Sequence, residues 1–288
     1  MKQFLLLPAL LFICNIATAQ YGRIYESHTV KSEILKAERH YSIYLPPGYD
    51  ETDRSYPVLY LLHGSGDDHT GWPQFGQVQH IADNTIGSGM AGPMIIVMPD
   101  ASAGRRGYFN DIKGDFNYED FFFKELIPHI EKTYRVKAER RYRAVAGLSM
   151  GGGGALFYAL HRPDMFAAAA PFSAAAQNFD LEQFKETQKN QAGVTNAMME
   201  QYFNRHSVDG ILNNATEDEL RQIKRVRWYI SCGDEDFLYE GNARTHIAFR
   251  KKEILHEYRV KDGGHTWTFW RMELPIAMEF VSKSFMQF

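Results

Sequence analysis

The chain is short of cysteine: its 288 residues carry two, Cys14 and Cys232. Cys14 falls in an N-terminal stretch expected to be removed, which leaves Cys232 alone and excludes an intrachain disulfide framework. An excess of one charge is also missing. The formal net charge is −3, and no long basic or acidic run interrupts the chain. Phosphate backbones demand a concentrated cationic surface, so nucleic acid is not an expected partner. Long apolar runs are lacking too. Phe4–Ile13, broken at Pro8-Ala9, is too short to cross a bilayer, and no later segment is long and apolar enough for a transmembrane span. No internal repeat or low-complexity linker is present. What remains is a composition 44% apolar and 23% charged, enough for the core of one large domain.

Lys2, the apolar stretch to Ile13 and the small residues Ala17-Thr18-Ala19 read as a signal peptide, residues 1–19, with the mature chain starting at Gln20. Residues 20–288 are then expected to form a single domain, secreted or periplasmic. The alternative is a lipoprotein anchored to the outer membrane through Cys14. Ile13 is bulky where that signal wants a small residue.

Beyond this segment, apolar alternation predicts strands at Ile24–Val30 and Tyr41–Leu45, followed by a turn at Pro46-Pro47-Gly48. Continuous apolar runs at Val58–Leu62, Met94–Met98, Phe166–Phe172 and Val226–Ile230 suit strands buried on both faces of a parallel sheet. Ala144–Ala146 and Tyr258–Val260 read as shorter strands. Helices are predicted over Tyr118–Tyr134, Gly152–Leu160, Asn242–Glu253 and Thr268–Phe285. This alternation implies an α/β fold with a mostly parallel central sheet flanked by helices. Residues 177–225 break the rhythm. They are polar and helical in pattern, with a break at Asn213-Asn214, and read as a cap insertion over the C-terminal edge of the sheet, where such folds bind ligands.

Strand Ala144–Ala146 runs into Gly147-Leu148-Ser149-Met150-Gly151, the glycine–serine–glycine pattern of a nucleophile elbow. A serine at a sharp strand-to-helix turn has a strained backbone, and small neighbours let the two arms approach. Its hydroxyl then stands above the sheet at a helix N-terminus. The hydroxyl needs a base to remove its proton. In folds with this elbow an acid and then a histidine follow in chain order. Ser231-Cys232-Gly233-Asp234-Glu235-Asp236 supplies three acids after one strand, and position alone does not choose among them. Gly263-Gly264-His265 follows the next strand, with the glycines expected to let the loop carry His265 over the sheet edge. His161 and His256 lack this context and read as structural. The oxyanion hole needs two backbone N–H groups. Met150 is expected to give one, and the His63-Gly64-Ser65-Gly66 loop the other, from Ser65 or else Gly64. His63 reads as a hydrogen-bonder that fixes this loop. Asp67-Asp68-His69 cannot converge on one ion, so no metal and no cofactor are expected.

Together, Leu62-His63-Gly64, Gly147-Leu148-Ser149-Met150-Gly151-Gly152, Cys232-Gly233-x-x-Asp236 and Gly263-Gly264-His265 resemble the "Putative esterase" family of the α/β-hydrolase fold. That family includes esterase D, the feruloyl esterases of carbohydrate esterase family 1 and the antigen 85 type of mycolyltransferase. The resemblance runs from about Tyr41 to the C-terminus. Pro99-Asp100, Tyr108-Phe109-Asn110 and Glu125-Leu126-Ile127-Pro128 also fit it. It implies Ser149, Asp236 and His265 as the catalytic set, with Asp234 the alternative acid. It also implies a secreted esterase of the feruloyl type, acting on plant cell-wall polysaccharide such as xylan. An acetyl xylan esterase, or a siderophore or short-chain acyl esterase, is the alternative. A carbohydrate-binding relative without catalysis is the non-enzyme alternative. Trp72, Tyr108, Phe109, Trp267 and Trp270, with Phe237 and Tyr239, lie near predicted strand-end loops. They are candidates to hold a phenolic acyl group and a sugar ring, or else to pack the core. The sequence leaves the oligomeric state open.

Overall fold

The computed structural model describes residues 21–101, 107–176 and 180–286. The stretch expected to be a signal peptide and the first residues of the expected insertion lie outside them. Eight strands form one sheet: β1 (Arg23–Ser32), β2 (Ala37–Leu45), β3 (Val58–Leu62), β4 (Ile95–Pro99), β5 (Arg143–Leu148), β6 (Ala168–Phe172), β7 (Arg227–Gly233) and β8 (His256–Lys261). Their order is β1-β2-β4-β3-β5-β6-β7-β8. The first two strands pair antiparallel, and β2 pairs antiparallel with β4. From β4 to β8 every pairing is parallel.

The continuous apolar strands are buried on both faces, as their sequences require. Their side chains alternate between two cores. Tyr60, Leu62 and Val145 enter one, while Leu59, Leu61, Ala144 and Ala146 enter the other. The helices are α1 (Gly71–Gln74), α2 (Val78–Gly87), α3 (Tyr118–Phe121), α4 (Ile127–Thr133), α5 (Met150–His161), α6 (Leu181–Gln188), α7 (Asn196–His206), α8 (Val208–Asn214), α9 (Glu217–Lys224), α10 (Tyr239–Lys251) and α11 (Trp267–Met286). Residues of α5 and α10 fill the first core, and those of α2 and α11 fill the second. None of the described helices is long and apolar enough to cross a membrane.

The helix expected over Tyr118–Tyr134 is instead divided by a π turn at Phe122–Leu126. Pro128 is the physical reason. It has no N–H to continue the ordinary ladder, and the preceding Ile127 N–H reaches back five residues to the Phe122 carbonyl. The insertion forms α6 to α9, three of them begun by Asp180, Thr195 and Ser207 side-chain caps and the last by a capping box at Thr216 and Glu219. The expected break at Asn213-Asn214 is the end of α8. His161, at the end of α5, ties this layer to the core. It contacts Glu119 at 2.8 Å and the Arg205 carbonyl at 2.7 Å.

Strand β5 and helix α5 are joined so closely that only glycine fits between them. A Cβ on Gly147 would lie 2.4 Å from the Gly151 carbonyl oxygen, and one on Gly151 would lie 2.5 Å from the Leu62 and His63 oxygens. Backbone atoms cannot step aside as a side-chain tip can. Gly147→Ala is therefore expected to lower stability by about 1–3 kcal/mol in urea unfolding. An unchanged midpoint would show that this junction has room the structure denies it.

Candidate active site

Ser149 is the single residue between β5 and α5, with φ 54° and ψ −116°. A non-glycine residue adopts such a backbone only when its surroundings impose it. Here the Ser149 N–H donates to the Phe172 carbonyl at 3.0 Å, and its own carbonyl accepts from Ala175 at 2.9 Å and Gly153 at 3.0 Å. The elbow is thus held by the end of β6 as well as by its own helix. The first N–H groups of α5, beginning with Met150, have no partner within the helix.

His265 reaches this hydroxyl from the loop after β8. Its Nε2 lies 2.8 Å from Ser149 Oγ, and its Nδ1 lies 2.9 and 3.0 Å from the two Asp236 oxygens. The carboxylate can only accept, so Nδ1 carries the proton and Nε2 is free to accept from the serine. Asp236, rather than Asp234, faces the histidine. Burial pushes the Asp236 carboxyl up, but hydrogen bonds from His265, Ser173 and the Leu238 amide outweigh it and hold the group below the usual carboxylate value. Asp234 instead accepts from the Gly263 N–H at 3.1 Å and so fixes the loop that carries His265. That loop is not slack, as the paired glycines suggested. Gly263 has φ 132°, and a Cβ on Gly233 would fall 2.0 Å from the Gly263 oxygen. Glycine serves close backbone contact here.

Ser173 escaped the sequence reading. It is fully buried with φ 45° at the end of β6, donates to Asp236 and accepts from Trp270 Nε1 at 3.1 Å. A small polar residue following the alanine-rich β6 was the only signal in the chain.

Gly64 is buried against the elbow: a Cβ there would meet Ser149 Cβ at 3.5 Å. The exposed Ser65 follows it at the rim. His63 is buried beneath this loop, and burial pushes its imidazole below the usual value, with the Gly64 carbonyl and Asp100 opposing. Asp68, in the turn beyond, accepts from the Thr70 amide and hydroxyl at 2.7 Å.

The aromatic candidates divide sharply. Trp72, Tyr108 and Trp270 are buried core residues, contrary to the surface role considered for them. Each has a polar atom satisfied inside the fold: Trp72 Nε1 donates to Leu62 at 3.0 Å, Tyr108 accepts from the His63 amide at 2.8 Å, and Trp270 donates to Ser173. Phe109 and Trp267 are half-buried. Phe237 and Tyr239 are exposed, at 69% and 59%, as is Phe75 at 53%, which was not among the candidates. His265 sits between an inner and an outer ring, with Trp270 at 4.9 Å in an edge arrangement and Phe237 at 4.4 Å. Phe75 lies 6.1 Å from Trp267, which lies 5.3 Å from Trp270.

Comparison with known proteins adds an independent view. The family model described as "Putative esterase" matches residues 32–281. The Endo-1,4-beta-xylanase/feruloyl esterase of Xylanibacter ruminicola is 42% identical over 136 residues, covering 43% of this chain and 18% of that protein. The acetyl esterase of Caldicellulosiruptor saccharolyticus is 24% identical over 238 residues, covering 81% of this chain and 86% of that protein. A solved structure described as a ferulic acid esterase matches with a TM-score of 0.81 at 34% identity, covering 92% of this chain and 99% of that one. The chain spans less than a third of the length of the first curated relatives it matches.

The depressed value of Asp236 makes part of the stability depend on pH. The folded-state value lies below that of an unfolded aspartate, about 3.9, so the stabilisation is complete above that pH and is lost as pH falls through the folded value. In urea unfolding, the stability gap between wild type and Asp236→Asn should be full at about pH 6 and narrow below about pH 4. A gap that stays constant down to about pH 2 would contradict this account.

Proposed function

From the premise that the chain belongs to the "Putative esterase" family, we propose that it is a secreted serine esterase that releases hydroxycinnamate, such as ferulate, from plant cell-wall polysaccharide such as xylan. The unbroken line from Ser149 Oγ through the His265 ring to the Asp236 carboxylate carries the reading of the chemistry. The 34% identical ferulic acid esterase, matched over nearly its whole length, supports the choice of acyl group. Ester-linked polysaccharide lies outside the cell, in keeping with the signal segment expected at residues 1–19.

In the proposed cycle Ser149 attacks the ester carbonyl while His265 Nε2 takes its proton. Asp236 holds the imidazole in the required tautomer and stabilises its cation. The Met150 and Ser65 amides hold the oxyanion, and α5 directs its N-terminus at the same charge. His265 then protonates the departing sugar oxygen. Water, activated by the same nitrogen, releases the acid and restores the serine.

The departing alcohol receives its proton from His265 Nε2, so it must lie near the exposed side of that ring. The exposed Phe237 ring lies 4.4 Å from that of His265, and an exposed aromatic face suits the C–H face of a sugar. Deacetylation is the second reading, favoured by the acetyl esterase that matches over most of both chains.

Ferulate, acetate and butyrate release measured side by side from matched substrates should rank ferulate first, and acetate first would favour the second reading. Ser149→Ala and Asp236→Asn should each reduce kcat on methyl ferulate by about 10⁴-fold with the fold intact, and Asp234→Asn by much less. Equal losses in the two aspartate variants would remove Asp236 from its role. Phe237→Ala should raise KM for feruloylated arabinose several-fold more than for methyl ferulate. An equal rise for both would detach Phe237 from the sugar.

A further inference from the structure

His63 makes a set of contacts that reach the reacting centre without touching it. Its Nδ1 lies 2.8 Å from the carbonyl oxygen of the next residue, Gly64. Its Nε2 lies 3.0 Å from the Ala101 amide nitrogen, which can only donate. The second contact makes Nε2 an acceptor, so Nδ1 carries the proton and donates to Gly64. The residue's own backbone is equally constrained. The Tyr108 hydroxyl accepts from the His63 N–H at 2.8 Å and donates to the His63 carbonyl at 3.2 Å. The Tyr158 hydroxyl, from α5, in turn holds the Tyr108 carbonyl at 2.6 Å. The imidazole is buried, and burial favours the neutral ring that this pattern of one donor and one acceptor needs.

The consequence follows from the planarity of the peptide bond. The Gly64 carbonyl and the Ser65 N–H belong to one rigid unit and point in opposite directions. Drawing the carbonyl to Nδ1 therefore turns the Ser65 N–H away from the His63 ring, in a loop whose Gly64 lies against Ser149. The same carbonyl also accepts from the Asp67 amide at 3.3 Å across the turn, a longer bond than that to Nδ1, and the flanking glycines add little stiffness of their own. We propose that His63 is a positioning residue for the oxyanion hole: by holding the Gly64 carbonyl through Nδ1–H, it aims the Ser65 N–H at the carbonyl oxygen of the bound ester. The inference rests on the proposed roles of Ser149 as nucleophile and Ser65 as amide donor.

An oxyanion donor acts in the transition state, so its misalignment lowers kcat and leaves KM nearly unchanged. The test uses His63→Asn and His63→Gln, purified and compared at equal folded fraction on methyl ferulate. The asparagine amide N–H can occupy the place of Nδ1–H, whereas the longer glutamine amide falls near Nε2. The expected result is that His63→Gln loses about 10²-fold in kcat, as removal of one oxyanion donor does, while His63→Asn recovers at least tenfold of this. Ser65→Pro, which deletes the N–H itself, should lose a similar factor, and adding His63→Gln to it should lose little more. Equal kcat in the asparagine and glutamine variants, or losses that multiply in the double variant, would overturn the proposal. Wild-type protein without Ser149-dependent ester hydrolysis would overturn the functional reading itself, a result distinct from either.

Discussion

The site depends on a strained turn that the rest of the fold forces on Ser149. Its backbone, at φ 54° and ψ −116°, is costly by about 1–3 kcal/mol for a residue with a side chain. The junction of β5 and α5 leaves no alternative. Gly147 and Gly151 bring strand, helix and the end of β3 into backbone contact, and the peptide groups of Ser149 bond to β6 and the residues after it. Strain at the serine is therefore offset by close packing and hydrogen bonds around it; the main chain fixes where the side chain starts, and His265 Nε2, 2.8 Å from Oγ, is the contact that holds its rotamer.

The same logic extends to the other arms. Asp236 and His265 come from the loops after β7 and β8, neighbouring parallel strands, so the sheet brings their starting points together. The loops then touch through Gly233 and Gly263, and Asp234 fixes the Gly263 amide. Ser173 joins the carboxylate to the end of β6, and Trp270 joins that serine to α11. Five strand ends, β3 and β5 to β8, thus converge on one line of three side chains. Few of the atoms involved have freedom to relax.

Much of this was legible because the chemistry leaves traces in residue type. A glycine–serine–glycine turn after an apolar strand, an acidic strand end and a Gly-Gly-His loop, in that order, pointed to Ser149 and His265, while Asp236 was singled out from its two acidic neighbours only by the family resemblance. The strands were legible for a related reason: full burial on both faces demands continuous apolar runs, and β3 and β4 have them. Ser173 was not, since a buried serine that bonds a carboxylate differs in no sequence feature from one in a loop. The division of Tyr118–Tyr134 hinged on Pro128, whose missing N–H competes with a strong helical periodicity. The aromatics were left open between substrate and core because proximity to strand ends says nothing about direction. Trp72 and Trp270 turn inward because a donor N–H finds a protein acceptor there.

That inward turn separates what can vary from what cannot. At Gly147, Gly151 and Gly233 any added atom meets backbone, so changes near the reacting oxygen strike the fold before they alter substrate choice. Phe237 and Phe75 are more than half exposed and bear no such constraint. A rim of exposed rings around a centre fixed by main chain lets one scaffold keep ester chemistry while its preference for acyl group and alcohol changes. On the proposed function, selectivity for a feruloylated sugar over a simpler ester would fall to the exposed Phe237 ring near His265 and to the half-buried Trp267. The buried Trp270 packs against both the His265 ring, at 4.9 Å, and Trp267, at 5.3 Å, and so ties the histidine and the half-buried ring to the core.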